Sequence, residues 1–166
     1  ATICFPFDVT IETPGPSNGA FVYTVSIEGS RARLNLFGSQ NVPAGTPVLL
    51  AGAYATSEVT ATITSGLDSY SGTNALSGTY FDKTSLEDDE YVFGTSDGEL
   101  GFWKLKSGKK VGANKAYLVV PGGSGVKGYA LSFDDIEYGI KTLSDSPLKD
   151  ENIYNLAGQR LGKMQK

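Results

Sequence analysis

The chain reads as all-β: an antiparallel β-sandwich, open or jelly-roll-like, of about ten short strands with a short C-terminal appendage. Three observations predict it. Apolar and polar residues alternate with period two along most of the chain, and helical periodicity is hard to find. The 21 glycines, with many serines and threonines, suit a chain full of tight turns. Of the 166 residues 40% are hydrophobic and 19% charged, which is enough apolar mass for a core and too little charge for a disordered chain. No repeat of fixed period is visible.

The elements follow in order. Phe7, Val9 and Ile11 alternate with Asp8, Thr10 and Glu12, as in a half-buried strand. TPGPSNG, residues 13–19, is a turn. Phe21, Tyr23, Val25 and Ile27 share one face of the next strand, against Val22, Thr24 and Ser26. Glu28-Gly29-Ser30 turns the chain, so that Ala32, Leu34 and Leu36 return facing inward and Arg31, Arg33 and Asn35 face water. This is the best-defined hairpin. Pro43 and Pro47 bracket a rigid turn that fixes the register of Val48-Leu49-Leu50. The run VLLAGAY, residues 48–54, is nearly continuous in apolar residues, as in a strand buried on both faces. Val59, Ala61 and Ile63 alternate with Thr60, Thr62 and Thr64, and LDSYSGTNALSG, residues 67–78, reads as a loop.

GTYF, YVFG, ELGFWKL, KAYLVV and GYALSF are the remaining short strands, with SDGE and PGGSG as turns. Gly112-Ala113-Asn114 launches a strand with Ala116, Leu118 and Val120 on one face. Both this segment and the Pro43–Pro47 turn read as scaffold. After Phe133 the texture becomes polar. The organisation expected is a sandwich over 1–135, a linker over 136–151 and a truncated β tail over 152–166. The tail carries Arg160, Lys163 and Lys166 and no acid, on a chain of net charge −4. Gly158 sits between two short apolar pieces of the tail. Ala1 is not an initiator Met and no signal peptide is visible, so a processed product or fragment is expected.

Absences narrow the function. The chain has no histidine, which removes Ser-His-Asp and Cys-His nucleophilic systems and histidine metal sites. Its one cysteine, Cys4, forms no intramolecular disulfide and reads as a buried inert thiol. The acidic balance argues against nucleic acid as a partner. No apolar stretch approaches the roughly 20 residues of a membrane-spanning helix. The acidic runs Glu87–Glu90 and Asp134-Asp135 are the places to look for a carboxylate pair or a calcium ion, but read as solvated loops. Pro121–Gly125 lacks the lysine and following helix of a phosphate loop. No catalytic residue, metal ligand or cofactor is therefore expected.

Aromatics are the remaining route to a ligand. Phe102 and Trp103 are adjacent in a strand and point to opposite faces. Trp103, Tyr91, Tyr80 and Tyr70 are the candidates to stack on a sugar ring, against the alternative that they fill the core.

TICFPFDVTI, VPAGTPVLLAG, GFWKLKSGKKVGANKAYLVVP and IYNLAGQRLGKMQK occur in this order. Together they resemble the C-terminal all-β accessory module of large secreted and surface proteins of Bacteroidota. The resemblance covers most of the chain and rests chiefly on Pro43-Ala44-Gly45-Thr46-Pro47, on Lys115-Ala116-Tyr117 and on the tail. It implies a secreted or outer-membrane-associated module lying downstream of other domains of the same polypeptide, with a tail that serves export or surface retention and in which Gly158 turns the first half of a small β unit whose closing strand is missing here. It supplies no catalytic residue. The function expected is a non-catalytic structural, spacer or tail-linking module. The alternative is an adhesin-like module that takes carbohydrate or a host surface protein on exposed aromatics.

Overall fold

A computed structural model describes residues 1–12, 20–52, 59–123, 125–132, 152–154 and 160–163. The turn read at 13–19, the linker at 136–151, Asp134-Asp135 and Gly158 lie outside the described residues. Every regular element described is a strand. In chain order these are β1 (Thr2–Ile3), β2 (Val9–Glu12), β3 (Ala20–Glu28), β4 (Arg31–Leu36), β5 (Asn41–Val42), β6 (Val48–Gly52) and β7 (Thr60–Ile63). Then come β8 (Leu76–Thr79), β9 (Glu90–Ser96), β10 (Glu99–Trp103), β11 (Lys115–Val119) and β12 (Gly128–Ser132), and in the tail β13 (Asn152–Tyr154) and β14 (Arg160–Lys163). Contacts divide the chain into a unit over 1–134 and another over 135–166.

The first unit is an all-β, largely antiparallel sandwich. Nine strands form one sheet in the order β1-β6-β3-β4-β12-β10-β9-β11-β8, and β5-β2-β7 form a second. Among the described strands only β4 and β12 pair in parallel. The large sheet curls until its ends meet. Thr2 Oγ1 of β1 donates to the Ala116 carbonyl of β11 at 2.8 Å, the Cys4 amide donates to the Asn114 carbonyl at 3.0 Å, and the Ala75 amide reaches the Val25 carbonyl of β3 at 2.7 Å. The curl covers the sheet's two short edges, β1 and β8.

Register then gives one continuous inner face. Tyr23 lies opposite Leu49, Val25 opposite Leu34, Ala32 opposite Leu131, Phe102 opposite Tyr129, and Leu118 opposite Tyr91. All ten side chains are buried. The small sheet packs on the outside of β3 and β6. There Val9, Ile11 and Val42 meet Val22, Val48 and Leu50, with Ile3, Phe5, Phe37 and Val59 at the rim. Each such side chain contributes about 1.5–3 kcal/mol on full burial.

This second layer explains two departures from the simple alternation. In β3 residues 22–25 are all buried, because Val22 and Thr24 face the small sheet while Tyr23 and Val25 face the interior. β6 is buried on both faces, as its continuous apolar run indicated. Elsewhere the alternation gives a strand with the wrong burial. Leu36 is 64% exposed, since β12 lies beside β4 only at Arg31–Arg33 and leaves its end open. Among the described strands β7 is an edge with only β2 beside it; Ala61 is exposed and Ile63 is 68% exposed. The 67–78 stretch also contains the start of β8, which pairs with β11.

The turns follow local chemistry. Gly29 has φ +58° at the first central position of the two-residue β3–β4 connection, where a type II′ turn requires glycine. Asp97 and Gly98 both take positive φ between β9 and β10, the type I′ pattern. In the second unit β13 pairs antiparallel with β14, so the tail holds two paired strands.

Candidate functional site

β10 lies between β9 and β12, and its register sets Trp103 opposite Val92 and Gly128, and Gly101 opposite Gly94 and Ala130. Because successive side chains alternate, Phe102 points inward, where it is 0% exposed and packs 5.5 Å from the Phe93 ring. Trp103 takes the outer face and is half-buried. Its indole can lie down on the sheet only because glycine is beneath it. A Cβ on Gly128 would overlap Cε3 and Cδ2 of the ring, and one on Gly101 would stand 3.1 Å from Cζ2. The indole Nε1 donates to the Gly94 carbonyl at 3.1 Å, which satisfies its one polar group and fixes the ring's orientation.

Trp103 lines a groove of about 660 Å³. The groove is lined by β9 from Val92 to Ser96, by Asp97 just after it, and by residues of the segment from Lys104 to Gly112 with the start of β11. Local turns fold that segment back. Gly108 has φ +75°, the Lys109 amide donates to the Lys106 carbonyl at 3.0 Å, and Val111 bridges to Lys83. The Lys104 amide reaches the Lys127 carbonyl at 3.3 Å, which holds the residue preceding β12 beside the end of β10.

The charge at this groove opposes that of its unit. Residues 1–134 contain nine cations and thirteen acids. Six of the nine cations line the groove: Lys104, Lys106, Lys109, Lys110, Lys115 and Lys127, with Asp97 as the single acid among the described lining residues. Lys104 is partly committed, since its ammonium lies 4.2 Å from the Tyr91 ring centroid and donates to the Asp88 carbonyl. Lys110 pairs with Asp82. Lys106, Lys109, Lys115 and Lys127 form no ion pair among the described residues.

The other aromatic candidates lie elsewhere. Tyr91 is 0% exposed and cannot serve as a sugar platform: its strand position turns it into the core. It meets Tyr129 edge-on, at 5.0 Å and 89°, and its hydroxyl donates to the Gly123 carbonyl. Burial raises the pKa of both tyrosines. The tyrosine pair also holds the glycine-rich turn at Gly123, where a Cβ would come within 2.9 Å of the Tyr129 hydroxyl and 3.1 Å of the Tyr91 hydroxyl. Tyr80 is 42% exposed, with its hydroxyl against Gly45 and Cys4. Tyr70 is 37% exposed and packs 5.0 Å from Phe37. Neither lines the Trp103 groove.

The carboxylates have structural partners. Glu90 is buried, receives the Lys83 ammonium at 2.7 Å, and accepts the Glu87 amide at 2.8 Å. Asp8 accepts the Leu67 amide at 3.0 Å and the Ala44 amide at 2.7 Å, tying two loops together, and those amides hold its pKa below the usual carboxylate range. Among the described residues no three potential metal ligands converge. Cys4 is buried, and desolvation raises its thiol pKa. No helix among the described residues is long and apolar enough to cross a membrane.

The lysines are what the sequence reading missed. It took the segment around Lys115 as scaffold. The available signal was local: five of the chain's fourteen cations fall within residues 104–115, directly after the one tryptophan. Compared with known families, curated proteins and solved structures, the chain has no match.

Proposed function

We propose that the chain is a non-catalytic β-sandwich module of a secreted or surface protein, and that it binds carbohydrate on the Trp103 face. One observation carries this reading: an indole laid flat over two glycines and tethered through Nε1, lining a groove of small-ligand size. A fixed, partly exposed aromatic face offers apolar contact to the C–H face of a sugar ring at low entropic cost, while the ring's polar edge is already satisfied. The absence of histidine from the chain supports a binding rather than a catalytic role. The resemblance to accessory modules of Bacteroidota surface proteins supports the location.

Trp103 is the chain's one tryptophan, so its emission reports on the groove directly. A glycan-array screen followed by fluorescence titration of the hits is expected to give a saturable change, lost in a folded Trp103→Ala variant. Absence of any glycan hit with the folded wild-type chain would return the module to a spacer role.

A further inference from the structure

We propose that the ligand of this groove is an anionic glycan, one bearing sulfate or carboxylate groups, with the indole carrying a sugar ring and the lysines its charges. The inference rests on the carbohydrate reading above and names the class of sugar. Its basis is the sorting of charge. Thirteen acids are spread over residues 1–134, yet one acid and six lysines line the groove, and four of the lysines form no ion pair among the described residues. Gathering like charges costs free energy through mutual repulsion, and none of these four lysines lies within ion-pair distance of a described acid. A ligand that brings its own anions relieves them all at once.

The positions of the charges favour a glycan over other polyanions. Lys106 and Lys109 flank the Gly108 turn, Lys115 opens β11, and Lys127 precedes β12, so the cations reach the groove that Trp103 lines from separate segments. Lysine presents a point charge on a flexible stem, which suits anionic groups scattered along a sugar chain. A nucleic acid demands a basic track along its backbone. Here the lysines come from separate segments of a unit that carries a net negative charge, so no such track is laid down.

Binding is tested on the full chain with four probes of matched length: a chondroitin sulfate hexasaccharide, hexagalacturonate, neutral maltohexaose and hexathymidylate. Three variants accompany the wild type. Trp103→Ala removes the platform. Lys106→Gln/Lys109→Gln/Lys115→Gln removes charge. Gly94→Leu adds bulk to the groove and leaves the indole and the lysines in the chain; a Cβ at Gly94 meets no atom within 4 Å. The expected result is binding of one or both acidic oligosaccharides, weakened about tenfold or more by each variant and weakened by salt as the screening length shrinks. The two acidic probes separate sulfate from carboxylate as the group recognised. Maltohexaose bound equally well, with the triple-lysine variant unaffected, would overturn the anionic inference and keep the carbohydrate reading. Acidic sugars bound by the wild type and undiminished by Trp103→Ala and Gly94→Leu would mean diffuse attraction to surface lysines and overturn it. So would hexathymidylate binding more tightly than either sugar. Failure of all four probes would overturn both readings.

Discussion

The two halves of the nine-stranded sheet treat their outer faces in opposite ways. Over β3 and β6 the outer face is Val22, Val48 and Leu50, covered by the small sheet. Over β9, β10 and β12 the outer face is Val92, Gly94, Gly101, Trp103 and Gly128, of which Val92, Gly94 and Trp103 line a groove. The inner faces are alike, buried and apolar in both halves. A covered face must be packed to interior density, so it is aliphatic. An uncovered face has no such demand. Here it has lost side chains at three glycines, laid an indole across two of them, and drawn lysines to the rim.

The sharpest way to break this comparison is to mutate two neighbours on β10. Phe102→Ala removes an inner-face ring and is expected to cost about 3–5 kcal/mol, read as a lowered denaturant midpoint. Trp103→Ala, one residue along on the outer face, is expected to cost no more than about 1–2 kcal/mol. Equal costs would mean that the outer indole is part of the core and that the division between faces is false.

A smaller effect sharpens the role of charge. Glu90→Gln leaves the Lys83 ammonium without its carboxylate partner, in a site where the Lys83 side chain is 28% exposed. We expect a loss of about 1–3 kcal/mol in chemical denaturation. A neutral result would show that this pair does not hold β9 in place. The groove lysines are expected to behave in the opposite sense, with the triple glutamine variant retaining or gaining stability as their repulsion is relieved.

The mildest effect is at acid pH. The Leu67 and Ala44 amides depress the Asp8 pKa, so the folded state holds the carboxylate more strongly than the unfolded chain does. That contribution is fully present above the unfolded value of about 3.9 and is lost as pH falls through the lower folded value. Asp82, held by Lys110 and the Ala113 amide, acts with the same sign. Wild type is therefore expected to lose stability below about pH 4 more steeply than Asp8→Asn. Parallel curves from thermal melts across pH 2–6 would remove Asp8 as a loop tie.

Much of the architecture was legible along the chain. Val9 and Ile11, the Glu28–Arg31 turn, and the unbroken Val48-Leu49-Leu50 run each declare a local state, because period two and turn chemistry are properties of adjacent residues. Burial was less legible. Val22 looked like an outer residue and Ile63 an inner one, yet Val22 is buried and Ile63 is open to solvent. Which face a strand hides depends on what lies over it and whether it stands at an edge, and both are set by segments distant in sequence. The site divides the same way. Adjacency alone placed Phe102 and Trp103 on opposite faces. Tyr91 looked equally available until pairing with β11 turned it into the core.

The sequence by itself determined that this is an all-β chain with strands near these positions, without histidine chemistry, and with one tryptophan facing away from its phenylalanine neighbour. Tertiary structure alone decided that Gly94, Gly101 and Gly128 meet beneath and beside that tryptophan, and that Lys106, Lys115 and Lys127 share its groove. The physical reason is one of range. Alternation and turns are fixed by neighbours along the backbone, whereas a site is made by strand order, which joins residues far apart in the chain.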